Sequence, residues 1–198
     1  MDKILQMLLL QQELNDATNG KGWENGITKN GKLIDWKSCA YLECAELIES
    51  YPWTHWKNIN AQPDYENIKI EAVDIWHFIM SQALEDYKVK NLGSIENLAE
   101  NIHNLNNFSD FLAETIPTSK NYYEQINTVE VLMRVIFCGD NTEVMMVAFL
   151  EVAIQSGLNL DSLYKLYVGK NILNQFRQDH GYKDGSYIKI WDEKEDNV

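Results

Sequence analysis

The chain has 198 residues, 45% of them hydrophobic and 11% aromatic, which is sufficient for one globular domain with a sizeable core. Its formal net charge of −13 argues against a general binder of nucleic acid or of anionic membranes. The three cysteines have no ligand-like spacing, so we expect reduced, cytoplasmic thiols rather than a disulfide framework or a zinc site.

The first half of the chain predicts three helices. Apolar residues at helical spacing predict the first over residues 2–17, and a loop rich in Gly and Asn follows it. A second helix is expected over 35–50, and a third runs from about 64, where Asp64 is a suitable N-cap, to about 88. No apolar run approaches the ~18 residues needed to span a bilayer, so we expect no membrane segment.

The second half predicts further helices over residues 94–116, 122–138, 142–157 and 160–179. Gly157 lies where a glycine commonly ends a helix. Strand signals are almost absent, and the alternating tail over 181–191 is expected to be an ordered loop or a short extension. We therefore predict an all-α helical bundle, with residues 1–198 as a single domain.

Two pairs of acidic residues interrupt apolar stretches of the second and third predicted helices. Glu43 and Glu46 are three residues apart, as are Glu71 and Asp74, so each pair lies on one helix face. If the two helices face each other, the four carboxylates meet, and such a set of oxygen donors favours a hard cation such as Mg²⁺. Either pair alone is more typical of a solvated helix face. Together, framed by apolar residues, they predict a metal site, because uncompensated buried carboxylates are costly.

A basic and amide-bearing face is predicted near the carboxyl end. Lys170, Asn171, Asn174 and Arg177 recur at helical spacing, and Lys183 follows in the adjoining loop. Arg binds phosphate through paired donors, and Lys binds it as a mobile point charge. Alone, this stretch is typical of an ordinary exposed helix face. In an acidic chain, the local excess of positive charge favours a phosphate-binding site.

Aromatic and amide side chains form a third group of candidates. Trp53 and Trp56 lie in the connection between the acidic helices, His77 follows the second acidic pair, and Gln11 and Asn15 are four residues apart on the first helix. A pyrimidine requires a stacking surface together with amide-type donors and acceptors, and these residues offer both. Singly, each Trp is more typical of a core, and His77 of a hydrogen-bonded interior histidine.

The combination resembles the dimeric all-α dUTP diphosphatases, which belong to the MazG-like all-α nucleotide pyrophosphohydrolases. The resemblance is carried by LQQELN (10–15), GWENG (22–26), LECAELIESYPWTHWKN (42–58), IEAVDIWHFIM (70–80) and YVGKNILNQFRQDHGYKDGSYIKIW (167–191). The two acidic pairs alone indicate only the wider group, whereas their union with the carboxyl-terminal stretch points to the dUTP branch. Residues 90–155 carry no motif that we can use.

The resemblance implies a fold of the all-α nucleotide pyrophosphatase type with a C-terminal loop or lid. It implies metal-binding helices over about 35–88 and a phosphate-binding helix and tail over about 160–191. The implied reaction is hydrolysis of dUTP, and of dUDP, to dUMP, which limits uracil incorporation into DNA and supplies dUMP for dTMP synthesis. The implied enzyme is a homodimer with two or more Mg²⁺ ions per site, in which the partner subunit helps to close each site.

Residue roles are also implied by the resemblance. The metal ligands are Glu43, Glu46, Glu71 and Asp74, and Glu46, beside Glu43, is our choice for the group that orients or deprotonates the attacking water. The uracil ring is expected among Gln11, Asn15, His77, Trp53 and Trp56. Sugar and phosphates are expected at Lys170, Asn174, Arg177, Tyr182 and Lys183, with Asn171 in either role. Residues 181–191 are expected to order over the phosphates when Mg²⁺ and dUTP bind.

Three alternatives remain open from the sequence. One is a related pyrophosphohydrolase acting on another nucleotide such as dCTP. Another is a ferritin-like di-iron protein, because Asp74 and His77 have the acid-to-histidine spacing of those bundles, although only one such instance is present. The last is a noncatalytic helical scaffold, for which hydrolysis of every nucleoside triphosphate should be absent.

Overall fold

The computed structural model describes residues 2–58, 60–113, 121–139, 141–191 and 194–196. Within these ranges the architecture is helical, which confirms the all-α prediction. The α-helices are α1 (Lys3–Asn19), α2 (Trp36–Glu49), α3 (Tyr65–Val89), α4 (Ile95–His103), α5 (Phe108–Phe111), α6 (Tyr122–Cys138), α7 (Thr142–Gln155) and α8 (Leu160–Asp179). Two strands of two residues each, β1 (Ile190–Trp191) and β2 (Lys194–Glu195), pair antiparallel in the tail.

Side-chain caps fix several helix starts where the sequence predicts them. The carboxylate of Asp35 accepts from the backbone N–H of Ser38, and that of Asp64 accepts from the backbone N–H of Asn67 at the start of α3. At the end of α7, Gly157 adopts φ +79°, a conformation that favours glycine, so the predicted helix stop is confirmed.

The helix predicted over 94–116 is wrong as one continuous element. The structure divides it into α4 and the short α5, and the predicted end at 116 lies outside the described residues. Between the two helices, the Asn107 side-chain amide donates to the backbone oxygen of Val147 on α7 at 2.9 Å. This contact joins segments that are distant in sequence, so helical periodicity does not reveal it.

Helix α3 is the centre of the bundle and contacts α1, α2, α4, α7 and α8. Its pairing with α2 is antiparallel: the backbone of Asp64 donates to Ser50 at one end, and the Trp36 indole donates to Glu85 at the other. Trp76 of α3 stacks on Phe149 of α7 with ring centroids 4.7 Å apart. This arrangement places one face of α2 opposite one face of α3 along the length of α2.

Helices α1 and α8 pack against each other and against α3, and they form the remaining walls of the site. The loop after α1 is anchored by Trp23, which is fully buried and donates to Asp16 at 3.1 Å. Among the described residues, no single helix is long and apolar enough to cross a membrane.

Candidate active site

A cleft of about 550 Å³ opens between α1, α2, α3, α8 and the tail. Its walls contain the acidic, basic and amide side chains that the sequence analysis singled out, together with several that it did not. The lining residues that bear on the chemistry are Gln11, Asn15, Trp36, Glu43, Glu46, Asn67, Glu71, Asp74, His77, Phe78, Lys170, Asn174, Arg177, Tyr182 and Lys189. A neighbouring cleft of about 560 Å³ shares Glu46, Asn67 and Glu71 with it.

The antiparallel pairing of α2 and α3 brings carboxylates from both helices together. One oxygen each of Glu43, Glu46 and Glu71 lies within 4.8 Å of the others. Asn67, one helical turn before Glu71, donates to a Glu71 oxygen at 3.1 Å and to the Ser50 hydroxyl at 2.8 Å. Asn67 therefore orients Glu71 toward α2.

Like charges at this distance destabilise one another without a cation. Burial raises the pKa of the Glu43 carboxyl to about 8, and the negative charges of Asp74 and Glu46 add to the effect. Burial and the charge of Asp74 also raise the pKa of Glu71. Two half-buried carboxylates with raised pKa values, beside a third that is exposed, fit a hard divalent cation, which supplies the missing positive charge.

Asp74 lies beside this group but has a protein partner of its own. The Lys170 ammonium contacts an Asp74 oxygen at 2.7 Å, and the two side chains are only 11% and 17% exposed. Burial still raises the pKa of Asp74, although the charge of Lys170 opposes the shift. The structure therefore joins one predicted metal ligand to one predicted phosphate ligand, and both roles stay predictions.

Arg177 is also paired with an acid from its own chain. Its Nε donates to Oδ2 of Asp196 at 2.9 Å, a second guanidinium nitrogen contacts Oδ1, and the two side chains are only 7% and 9% exposed. The hydrogen bonds raise the pKa of Arg177 and lower that of Asp196. The Tyr187 hydroxyl donates to Asp196 at 2.7 Å. The Asp196 carboxylate of the tail thus binds the Arg177 guanidinium, which is predicted to bind phosphate.

The other predicted phosphate and sugar ligands are distributed around this end. Asn174 and Tyr182 line the cleft, and the Arg177 guanidinium lies 5.8 Å from the Tyr182 ring centroid. Lys183 donates to the backbone oxygen of Thr18 and does not line the cleft. Asn171 points to α1, where it donates to the backbone oxygen of Leu10 at 3.4 Å.

A buried polar network forms another part of the cleft wall. The Gln11 amide donates to Asn15 Oδ1 at 3.1 Å and to the Ser81 hydroxyl at 3.0 Å. Asn15 Nδ2 donates to the same hydroxyl at 3.0 Å. Gln11 Oε1 lies 2.7 Å from Nδ1 of His77 and 3.0 Å from the Tyr167 hydroxyl, whose one proton is shared with a backbone oxygen of α1 at the same distance. Hydrogen bonds thereby fix the side-chain positions of three predicted uracil ligands, Gln11, Asn15 and His77.

His77 has one unpartnered nitrogen in this network. Its side chain is 4% exposed, and Nε2 is buried without a hydrogen-bond partner. Burial lowers the pKa of the imidazole to about 3, so the ring is neutral at neutral pH. The ring packs against Tyr167 with centroids 4.4 Å apart. A neutral imidazole that lines the cleft is suited to hydrogen bonding rather than to binding an anion.

The tryptophans of the connection lie elsewhere in this structure. Trp53 and Trp56 contact each other edge to face at 5.7 Å, and neither lines the cleft. Aromatic rings that line the cleft include Tyr182 and the pair Trp36 and Phe78, whose ring centroids lie 6.2 Å apart in a stacked arrangement. The predicted contact of Trp53 and Trp56 with uracil stays a prediction.

Several site residues were missed by the sequence analysis. Ser81 follows His77 by one helical turn, Asn67 precedes Glu71 by one turn, and Tyr167 precedes Asn171 by one turn. Extending each predicted face by four residues would have found them. Asp196 carries no comparable signal, because its contact with Arg177 depends on the path of the tail.

Comparison with known proteins agrees with this geometry. A protein-family model described as dUTPase matches residues 3–182. The matched range contains the carboxylate group, the buried amide network and the basic face of α8. No curated protein matches the chain.

Proposed function

The chain belongs to the dUTPase family and is a dUTP diphosphatase, and we propose that it converts dUTP to dUMP and pyrophosphate with Mg²⁺ and also accepts dUDP. The single observation that supports this proposal best is one cleft with three kinds of chemistry. It contains a three-carboxylate group, the cations of α8 and a buried amide network. The carboxylates would bind the metal, the cations the polyphosphate, and the amides the base.

The metal would be held by Glu43, Glu46 and Glu71, with Asp74 completing the set. A bound divalent cation supplies positive charge that neutralises the polyphosphate as negative charge develops in the reaction. The raised pKa of Glu43 supports this assignment, because a buried acidic group of this kind is stabilised by a cation. Oxygen ligands favour Mg²⁺ over softer metals, and the carboxylate group described here contains no histidine, unlike a di-iron site.

The chain's own groups would orient the substrate and move the proton. Asn15 and His77 bind the pyrimidine edge, Trp36 and Phe78 flank it, and Lys170 and Arg177 bind the phosphates. Glu46 is exposed at the mouth of the cleft, where its carboxylate accepts a proton from the attacking water. Water attacks the β-phosphorus, the bond from that phosphorus to the bridging oxygen of dUMP breaks, and dUMP leaves. A γ-phosphate is not needed, so dUDP gives dUMP and phosphate.

We also propose that the enzyme is a cytoplasmic homodimer. Tyr123, Val131 and Phe137 are 40% to 58% exposed, and helical geometry places them on one side of α6. An apolar helix side of this kind is suited to a symmetric contact with a second copy of the chain. Three cysteines without a disulfide agree with a reducing compartment.

One panel of substrates tests the proposed function. Pyrophosphate release is measured from dUTP, dCTP, dTTP and UTP with Mg²⁺ and again after chelation, and phosphate release is measured from dUDP. We expect dUTP to be preferred and chelation to stop turnover. Reaction in ¹⁸O-labelled water should place the label in pyrophosphate rather than in dUMP. Equal rates with all nucleotides, metal-independent turnover, or label in dUMP would each contradict the corresponding part of the proposal.

A further inference from the structure

Ser81 is the shared partner of the two amides in the buried network. Its hydroxyl donates to the backbone oxygen of His77 at 2.8 Å, one helical turn earlier. Gln11 and Asn15 each approach the same oxygen at 3.0 Å. A serine hydroxyl has one proton and two acceptor lone pairs. The backbone oxygen at 2.8 Å only accepts, and the other acceptor near the hydroxyl, Asn15 Oδ1, lies farther away at 3.4 Å. The proton of Ser81 is therefore used on the backbone oxygen, and both lone pairs face the amides.

This arrangement fixes which end of each amide faces Ser81. If Gln11 and Asn15 turned their oxygens toward it, the hydroxyl would face three acceptors with a single proton. With both NH₂ groups toward it, every partner of the hydroxyl is satisfied. Unsatisfied groups in a fully buried site are costly, and Ser81 is 0% exposed. Ser81 therefore selects one of the two amide orientations of Gln11.

The orientation of Gln11 in turn fixes the tautomer of His77. With its NH₂ group toward Ser81, Gln11 presents Oε1 to His77 Nδ1 at 2.7 Å. Because Oε1 can only accept, Nδ1 carries the ring proton of the neutral imidazole. Nε2, which is buried and has no partner in the described structure, is then an acceptor. The reversed amide would leave the proton on Nε2 and make it a donor.

An acceptor at this position discriminates between pyrimidines. Uracil has N–H at N3 and a keto oxygen at C4, whereas cytosine has an acceptor at N3 and an amino group at C4. Either Nε2 of His77 or Oδ1 of Asn15 would accept from the single N3–H of uracil, and the second N–H of Asn15 Nδ2 would donate to its keto oxygen. Cytosine would place its N3 acceptor against an acceptor of the protein. Sites built to bind one hydrogen-bonding pattern reject the other strongly.

We propose that Ser81 is a specificity-determining positioning residue, whose hydroxyl holds Gln11 and His77 in the state that selects 4-keto over 4-amino pyrimidines. The inference rests on the proposed function, because it places the base of the substrate against Asn15 and His77. Ser81 itself is buried behind these residues and does not line the cleft. Its effect on selectivity is exerted through the hydrogen bonds to Gln11 and Asn15.

The first test is the ratio of kcat/KM for dUTP to that for dCTP. In Ser81→Ala both amides can reverse, and we expect the ratio to fall by roughly 10- to 100-fold, the equivalent of one buried hydrogen-bond mismatch. Ser81→Thr retains the hydroxyl and should restore the preference. Tyr167→Phe removes a hydroxyl from the same network but leaves Ser81 in place, so it should change the ratio far less. Ser156→Ala, at a buried serine outside the cleft, is the matched control.

The second test requires no substrate. Long-range ¹H–¹⁵N NMR spectra distinguish the two neutral tautomers of histidine, and His77 can be assigned by comparison with His77→Gln. We expect the proton on Nδ1 in the wild-type protein and a mixture of tautomers in Ser81→Ala. A proton on Nε2 in the wild type would overturn the inference even if Ser81→Ala does not fold.

Base binding in the cleft and the role of Ser81 can be refuted separately. If Asn15→Ala lowers dUTP turnover while Ser81→Ala keeps the wild-type ratio and tautomer, the Ser81 inference is wrong and base binding in the cleft stands. If Asn15→Ala and His77→Gln both leave dUTP turnover unchanged, the base binds elsewhere, and the proposed assignment fails with the inference.

Discussion

The two ends of the cleft satisfy their polar groups in different ways. At the base end, Gln11, Asn15 and Ser81 are buried and hydrogen-bonded to neutral groups of the same chain. At the phosphate end, two cations are neutralised by acids: Lys170 by Asp74 and Arg177 by Asp196. Under the proposed roles, the base end is arranged before substrate binds, whereas the phosphate end must exchange ionic partners.

The proposed exchange of ionic partners would allow a protein with a net charge of −13 to bind a polyanion. A metal at Asp74 and a phosphate at Lys170 would replace one ion pair by two, so neither buried charge is left uncompensated. The same exchange at Arg177 releases Asp196 to solvent. Breaking a buried pair by removing one partner is strongly destabilising, and substrate with its metal replaces both partners together. The expected effects of substitution therefore differ between the two ends.

Loss of a carboxylate from the proposed metal site should produce the largest effect on turnover. Glu46→Gln and Asp74→Asn each remove a ligand charge from a site that has few, and we expect kcat to fall by about 10³-fold or more. Steady-state kinetics measure the loss, and circular dichroism should show an intact fold. Glu151→Gln, an exposed position on α7, is the control. Wild-type rates in the first two variants would contradict the metal assignment.

Removal of the Asp196 carboxylate should have the opposite effect and strengthen substrate binding at the phosphate end. Asp196→Asn removes the negative charge that competes with phosphate for Arg177, so we expect KM for dUTP to fall by about three- to tenfold with little change in kcat. Asp179→Asn removes an equal charge from an exposed position on the same helix as Arg177 and should leave KM unchanged. An unchanged KM in Asp196→Asn would show that the ion pair does not oppose substrate binding.

Amide hydrogen exchange of the unsubstituted protein should distinguish the tail near the phosphate end from α3 at the base end. The tail over 181–191 is tied to the cleft through Lys183 and Tyr187, and most of its residues are exposed. We expect amide protection there to rise when Mg²⁺ and a non-hydrolysable dUTP analogue bind, because the tail orders over the phosphates. Protection of α3 around Ser81 should already be high and should change little. High protection of the tail without ligand would mean that it is a permanent structural element.

The pH dependence of stability should have opposite signs for Glu43 and for His77. We expect this effect to be smaller than the effects of the substitutions. The folded pKa of Glu43, about 8, lies above the ordinary value of 4.5, so the folded state binds more protons and stability falls as pH rises between these values. The folded pKa of His77, about 3, lies below 6.5, so stability is instead lost as pH falls below about 6.5.

Thermal melts in chelator check both limbs. We expect Tm to decline by about 2–5 °C between pH 6.5 and 8 and Mg²⁺ to reverse the decline. Glu43→Gln should flatten the alkaline limb, and His77→Gln should flatten the acidic one. A Tm that rises toward pH 8 in chelator would contradict the account of the carboxylate group.

The sequence predicts features that depend on local spacing. The bounds of α8 and the shared faces of Glu43 with Glu46 and of Glu71 with Asp74 follow from helical periodicity. The break between α4 and α5 does not, because it depends on the tertiary contact of Asn107. Ser81 is small and uncharged, and only its hydrogen bonds to two distant amides reveal its importance. The sequence contains many acids, so it does not indicate which of them pairs with Arg177.

A structure of the enzyme with Mg²⁺ and a non-hydrolysable dUTP analogue tests the contrast between the two ends most directly. The account predicts metal between Glu43, Glu46 and Glu71, phosphate in place of Asp196 on Arg177, and the base against Asn15 and His77. It also predicts that Gln11 and Asn15 keep their present hydrogen bonds to Ser81. An intact Arg177–Asp196 pair beside the bound analogue, or a rearranged amide network around the base, would contradict it.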